Sequence, residues 1–164
     1  MYKKITVCIA LALFVAVCSF AEDPVEGFWK SIDEKTGETT AFWKIYDKSG
    51  VLFGEILKIV GKSDDTIATG AKESYRDFPV KGVVNTMRVV GTPWIYGLSK
   101  WKTGEWYGGS IVDAKKGDIY SCKITYHAAD GKRFEKETLE MRGEIIFGIG
   151  RSQFWQRASE AEFR

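Results

Sequence analysis

From Ile119 to Tyr126 the chain alternates strictly, with Tyr120, Cys122, Ile124 and Tyr126 on one parity and Ser121, Lys123 and Thr125 on the other. A period of two belongs to an extended strand with one dry face and one wet face, and no amphipathic helix can satisfy it. The same reading places strands at Gly27 to Ile32, Thr39 to Asp47, Val51 to Val60, Trp94 to Lys100, Glu105 to Asp113, Phe134 to Gly143 and Arg151 to Arg157. The connections Lys35-Thr36-Gly37, Lys48-Ser49-Gly50, Lys102-Thr103-Gly104, Lys115-Lys116-Gly117 and Ala129-Asp130-Gly131 each put a glycine where a tight hairpin asks for positive φ. Strands joined this way pair as antiparallel neighbours. The predicted fold class is therefore all-β, a meander of about eight strands that hides its edges by closing into an up-and-down barrel, with a two-sheet sandwich as the alternative.

One stretch breaks the rhythm. Gly61 to Lys81 is polar and too long for a hairpin connection. Three readings stay open for it: a lid over one barrel mouth, a short helix, or a mobile loop. Val83 to Val90 offers a ninth strand, weakened by Asn85-Thr86. No internal repeat or low-complexity linker divides the chain, so residues 22–164 read as one domain.

Residues 1–21 read as an export signal: Lys3 and Lys4 make a positive start, Ile5 to Cys18 is uncharged and apolar, and Ser19-Phe20-Ala21 suits a signal peptidase. A spanning anchor needs about 18 to 20 apolar residues, more than this run has. The expected location is periplasmic or extracellular, with the mature chain starting at Glu22. A lipoprotein acylated at Cys18 is the second reading, because Val15-Ala16-Val17-Cys18 resembles a lipoprotein box. Without Lys3 and Lys4, the 24 basic residues fall to the same number as the 22 acidic ones, all of which follow residue 21. A near-neutral domain has no basic field to hold nucleic acid. Cys122 would be the only cysteine left after cleavage, so no internal disulfide can form, and its place on a dry strand face predicts a buried thiol.

Gly27-Phe28-Trp29 resembles the Gly-x-Trp signature of the lipocalin and fatty-acid-binding superfamily of calycin barrels. The resemblance implies that Gly27 and Trp29 close one barrel end beside an arginine of the last strand, for which Arg151 is the candidate. A wider resemblance runs through Asp23-Pro24-Val25-Glu26-Gly27-Phe28-Trp29, Pro93-Trp94-Ile95-Tyr96-Gly97-Leu98, Trp106 to Asp113, Tyr120-Ser121-Cys122-Lys123 and Gly150-Arg151-Ser152-Gln153-Phe154-Trp155. These blocks are similar to the bacterial family known as domain of unknown function 2147, which implies an exported lipocalin-like barrel of unassigned role. Gly61 to Gly91 is longer and more polar than that pattern.

Catalytic chemistry has little to stand on. His127, the only histidine, enters a turn with no nucleophile motif beside it, and one histidine with one cysteine does not supply a metal site. No cofactor is expected, and no metal. Glu135, Glu137 and Glu140 read as a solvated rim rather than a facing carboxylate pair, and Gly148-Ile149-Gly150 opens a strand, not a phosphate-binding helix. A hydrolase or isomerase using interior carboxylates is the weakest reading, and the chain is expected not to be an enzyme.

Aromatic residues make 14% of the chain, and an eight-stranded barrel either fills with side chains or keeps room for one small ligand. Tyr96, Tyr120 and Tyr126 carry a hydroxyl on an apolar body, and Gln153 and Trp155 share parity on the last strand. With Ile124 and Phe147 they form the expected ligand-lining set. Glu144 to Gly150 is nearly continuous in apolar residues, as for a buried turn at a barrel mouth or, if exposed, a contact patch for a partner or membrane. The expected function is a noncatalytic module, monomeric, binding a lipid-like small molecule in the barrel. The alternative is a filled barrel acting on an envelope protein or membrane surface through residues 61–81.

Overall fold

The computed structural model describes residues 22–146 and 148–164. The expected leader, its cleavage site, Cys18 and Phe147 lie outside the described residues. Eight strands follow one another in chain order: β1 (Gly27–Ile32), β2 (Thr39–Lys48), β3 (Val51–Ile59), β4 (Pro93–Lys102), β5 (Glu105–Val112), β6 (Ile119–His127), β7 (Thr138–Ile146) and β8 (Ile149–Arg157). All neighbours are antiparallel, and the sheet closes into a barrel where Trp29 and Lys30 of β1 pair with Arg157 and Gln156 of β8. Closure removes every free edge, so the barrel prevails over the sandwich.

Trp29 of β1 meets Tyr126 of β6 with ring centroids 6.4 Å apart, and a Cβ on Gly143 of β7 would lie 3.7 Å from Ile111 of β5. These strands are not neighbours, so the contacts cross the lumen and identify its lining. Trp29, Trp43, Trp106, Ile124, Leu139 and Trp155 fill the interior, all of them buried. Filling is tight enough to exclude a β-carbon at Gly54, which would lie 2.7 Å from Ile45 Cδ1 and 2.9 Å from Ile95 Cδ1. Cys122 is buried beside Met141, with its Sγ 3.2 Å from the thioether, as its parity predicts.

Residues 60–92 are neither a lid nor a ninth strand. They form a strap against the outer wall of β4 and β5. Ile95 points into the lumen, so its neighbours Trp94 and Tyr96 point outward, and the strap covers both. The Phe78 ring lies 5.9 Å from Trp94 and 5.3 Å from Tyr96, Trp94 Nε1 donates to the Val89 carbonyl at 2.7 Å, and Tyr96 Oη donates to the Arg76 carbonyl at 3.2 Å. Further along, the strap touches the β5–β6 turn, where Tyr75 Oη donates to the Gly117 carbonyl and a Cβ on Gly70 would lie 1.9 Å from the Lys115 carbonyl oxygen. Val83 to Val90 holds a single 3-10 turn, Val84–Thr86, because Thr86 Oγ1 donates back to the Val83 carbonyl at 2.7 Å and competes with extended pairing.

β7 starts at Thr138, four residues later than the alternation suggests. Asp130 is the reason: its Oδ1 accepts from the backbone N–H of Lys132 at 2.8 Å and of Phe134 at 2.9 Å, which curls residues 130–134 into a loop.

Candidate functional site

The barrel has a sealed pole and an open one. At the sealed pole the arginine over Trp29 is Arg157, not Arg151. Its guanidinium carbon lies 3.8 Å from the Trp29 ring centroid, and it donates to the Glu26 and Pro24 carbonyls at 2.6 Å each and to Glu137 Oε2 at 3.1 Å. Arg151 stands too far along β8 to reach Trp29, since Arg157 is the residue opposite Trp29 in the register. Gly27, at φ 114°, admits this arginine because a Cβ there would sit 2.9 Å from its Nη1. Tyr126 donates to Glu137 and belongs to this seal. Burial raises the Tyr126 pKa first and the Glu137 carboxylate adds to it, while the hydrogen bond from Tyr126 holds Glu137 below its ordinary value, with Arg157 assisting.

Residues 23–26 plug the same pole. Asp23 accepts from the Gly104 and Val25 amides at 3.1 and 3.2 Å and pairs with Lys100 at 2.8 Å. Burial pushes its pKa up, but Lys100 and the two amides outweigh that and hold it below the usual carboxylate range.

At the other pole the inward faces reach water. Trp155 stacks on Trp43 at 4.7 Å and 27°, and Trp43 Nε1 donates to Ser31 Oγ at 3.3 Å. Gln153, the next inward residue of β8, is exposed, and its Oε1 accepts from Trp155 Nε1 at 3.1 Å. Tyr120 of β6, two strands from Gln153, is half-buried and donates to Asp118 at 3.3 Å. The result is a shallow cup with an indole floor and amide and phenol walls. Ile145, Ile146 and Ile149 stand 63–73% exposed on the β7–β8 hairpin at its rim. Arg151 is at this pole too, bridging to Glu34 of the β1–β2 turn at 2.6 Å.

The structure therefore divides the expected ligand-lining set. Gln153 and Trp155 touch at the cup with Tyr120 at the same pole, Ile124 is buried deep in the lumen, Tyr126 serves the seal and Tyr96 faces the strap on the outer wall. Trp43 and Ser31 complete the floor, and sequence reasoning missed them because β2 and β8 meet only across β1 once the barrel has closed. His127 is no free turn residue: its Nε2 lies 2.9 Å from Glu140, which also accepts from Ser152 Oγ at 2.7 Å on the outer wall. Among the described residues, no three His, Cys, Asp or Glu side chains gather as a metal site.

Comparison with known proteins agrees with this geometry. A solved structure titled "Protein HP1028 from the human pathogen Helicobacter pylori belongs to the lipocalin family" superposes with a TM-score of 0.64 at 14% identity, covering 84% of each chain. At that identity the likeness speaks for the fold. No curated protein matches the sequence. The family described as "Uncharacterized protein conserved in bacteria (DUF2147)" matches residues 27–157, from the first residue of β1 to the last of β8, and the chain belongs to that family.

Proposed function

We propose that this chain is an exported, noncatalytic barrel that holds a small amphipathic molecule at its open pole. The supporting observation is the pairing of Gln153 with Trp155: an inward side chain exposed to water directly above a fully buried indole. Apolar ligand surface would rest on the Trp43–Trp155 floor, at about 0.8 kcal/mol per buried methylene. Gln153, the Tyr120 hydroxyl and Arg151 would meet the polar end. Since the lumen beneath is packed, the ligand sits in the cup and does not thread the barrel.

Native mass spectrometry of gently isolated protein tests this reading, with a lipid-like adduct expected in the wild type and absent from Gln153→Trp, which fills the cup. Repeated absence of any adduct from the wild type would remove the reading. In its place would stand a filled barrel that works on an envelope partner through the strap, which the packed tryptophans favour.

A further inference from the structure

The loop between β6 and β7 builds a second concavity, on the outer wall and away from the cup. It folds back beside β7 and β8 to leave an open groove of about 560 Å³ lined by Arg133, Phe134, Glu135, Lys136, Thr138, Phe154 and Gln156. The groove stays open to solvent, so a ligand in it would keep one side in water.

Its apolar floor is Phe134 and Phe154, with centroids 6.1 Å apart and Phe154 39% exposed. Phe134 is fixed from two sides. The His127 ring stacks on it at 4.4 Å and 15°, and His127 is itself steadied by Glu140, which Ser152 steadies in turn. Asp130 holds the backbone N–H of Phe134 at 2.9 Å. Barrel closure needs none of these contacts, which lie outside the wall.

The rim is cationic. Asp130, Glu137 and Glu140 are committed to the loop backbone, to Arg157 and to His127, which leaves Glu135 as the free carboxylate of the loop. Against it stand Lys132, Arg133 and Lys136, none of which makes an ion pair among the described residues, and Arg133 lies 5.1 Å above the Phe134 ring. Guanidinium and ammonium groups beside an aromatic floor suit a carboxylate or phosphate head joined to a hydrocarbon.

We propose that this groove binds a free, single-chain anionic amphiphile, its chain on Phe134 and Phe154 and its head between Arg133 and Lys136. The site is independent of the cup.

Decanoate titrated into ¹⁵N-labelled protein below its micelle concentration tests the assignment. Amide shifts are expected across residues 130–138 and 152–156. The exposed pair Arg133→Ser with Lys136→Ser weakens decanoate roughly tenfold and changes decan-1-ol by less than about twofold, as loss of a charged head contact requires. Phe154→Ser weakens both ligands. Decanoate shifts confined to Tyr120 and Gln153 would overturn the wall site and leave the cup intact. Unchanged affinity in the double variant would overturn it as well, as would binding to phosphatidylglycerol vesicles without any response to free decanoate.

Discussion

Arg157 lies with its guanidinium carbon 3.8 Å from the centre of the Trp29 indole, and the same group donates to the Pro24 and Glu26 carbonyls. One side chain thus ties the end of β8 to the start of β1 and to the plug. Arg157→Ala leaves two carbonyls without their donor and Glu137 with Tyr126 alone, and should cost about 2–4 kcal/mol. Arg157→Lys recovers little of this, because an ammonium cannot reach three acceptors in one plane. Arg151→Ala, which breaks only an exposed pair with Glu34, should cost less than about 1 kcal/mol. Urea midpoints of the three variants check the ranking, and equal losses for Arg151 and Arg157 would contradict the seal.

Asp23 sets part of the acid response. Its pKa is lowered in the folded state, so its contribution is present above the unfolded carboxylate value of about 3.9 and disappears as pH falls through the folded value. Asp23→Asn should therefore lose about 1–3 kcal/mol at pH 7 and converge on the wild type as the pH drops below about 4. Urea unfolding at a series of pH values reads this directly; a difference constant down to pH 2 would mean that Asp23 acts through shape alone.

Burial pushes the Cys122 thiol far up from its ordinary pKa. Protein beginning at Glu22, in which Cys122 is the one cysteine, should leave a disulfide reagent such as Ellman's unconsumed at pH 8 and react in full after unfolding in guanidinium. Rapid labelling of folded protein would place Cys122 on the wrong face of β6.

The strap depends on close approach to the β5–β6 turn. At Gly70 a Cβ would lie 1.9 Å from the Lys115 carbonyl oxygen, so Gly70→Val should lift the strap and expose Trp94 and Tyr96. Faster limited proteolysis within residues 60–92, with the barrel's far-ultraviolet circular dichroism retained, is the expected result. Tyr75→Phe, which loses the hydrogen bond to Gly117, should cost about 1 kcal/mol and act in the same direction.

Local pattern carried most of the fold and less of the site. The alternation around Tyr120 to Tyr126 named its own inward face, and the glycine turns named the strand order, because both depend on residues adjacent in the chain. Tyr96 was misplaced because β4 is apolar on both faces: Trp94 and Tyr96 are buried by the strap while Ile95 and Leu98 are buried by the lumen, so parity lost its meaning there. Arg151 and Arg157 share parity on β8, and only the closing register opposite Trp29 distinguishes them. Phe134 scanned as strand although the Asp130 carboxylate, acting over four residues, turns it onto the outer wall. The cup and the wall groove both arise from residues brought together across sheet register or loop return, which a linear scan does not encode.

The plug at Asp23 and Pro24 gives the molecule a direction. Whatever precedes Glu22 leaves from the pole that Arg157 locks, beside the β4–β5 turn at Gly104. A tether at that terminus would leave the isoleucine-tipped rim at the far pole and the strap on the side wall. Orientation relative to any supporting surface would thus be set by the plug residues Asp23 to Glu26.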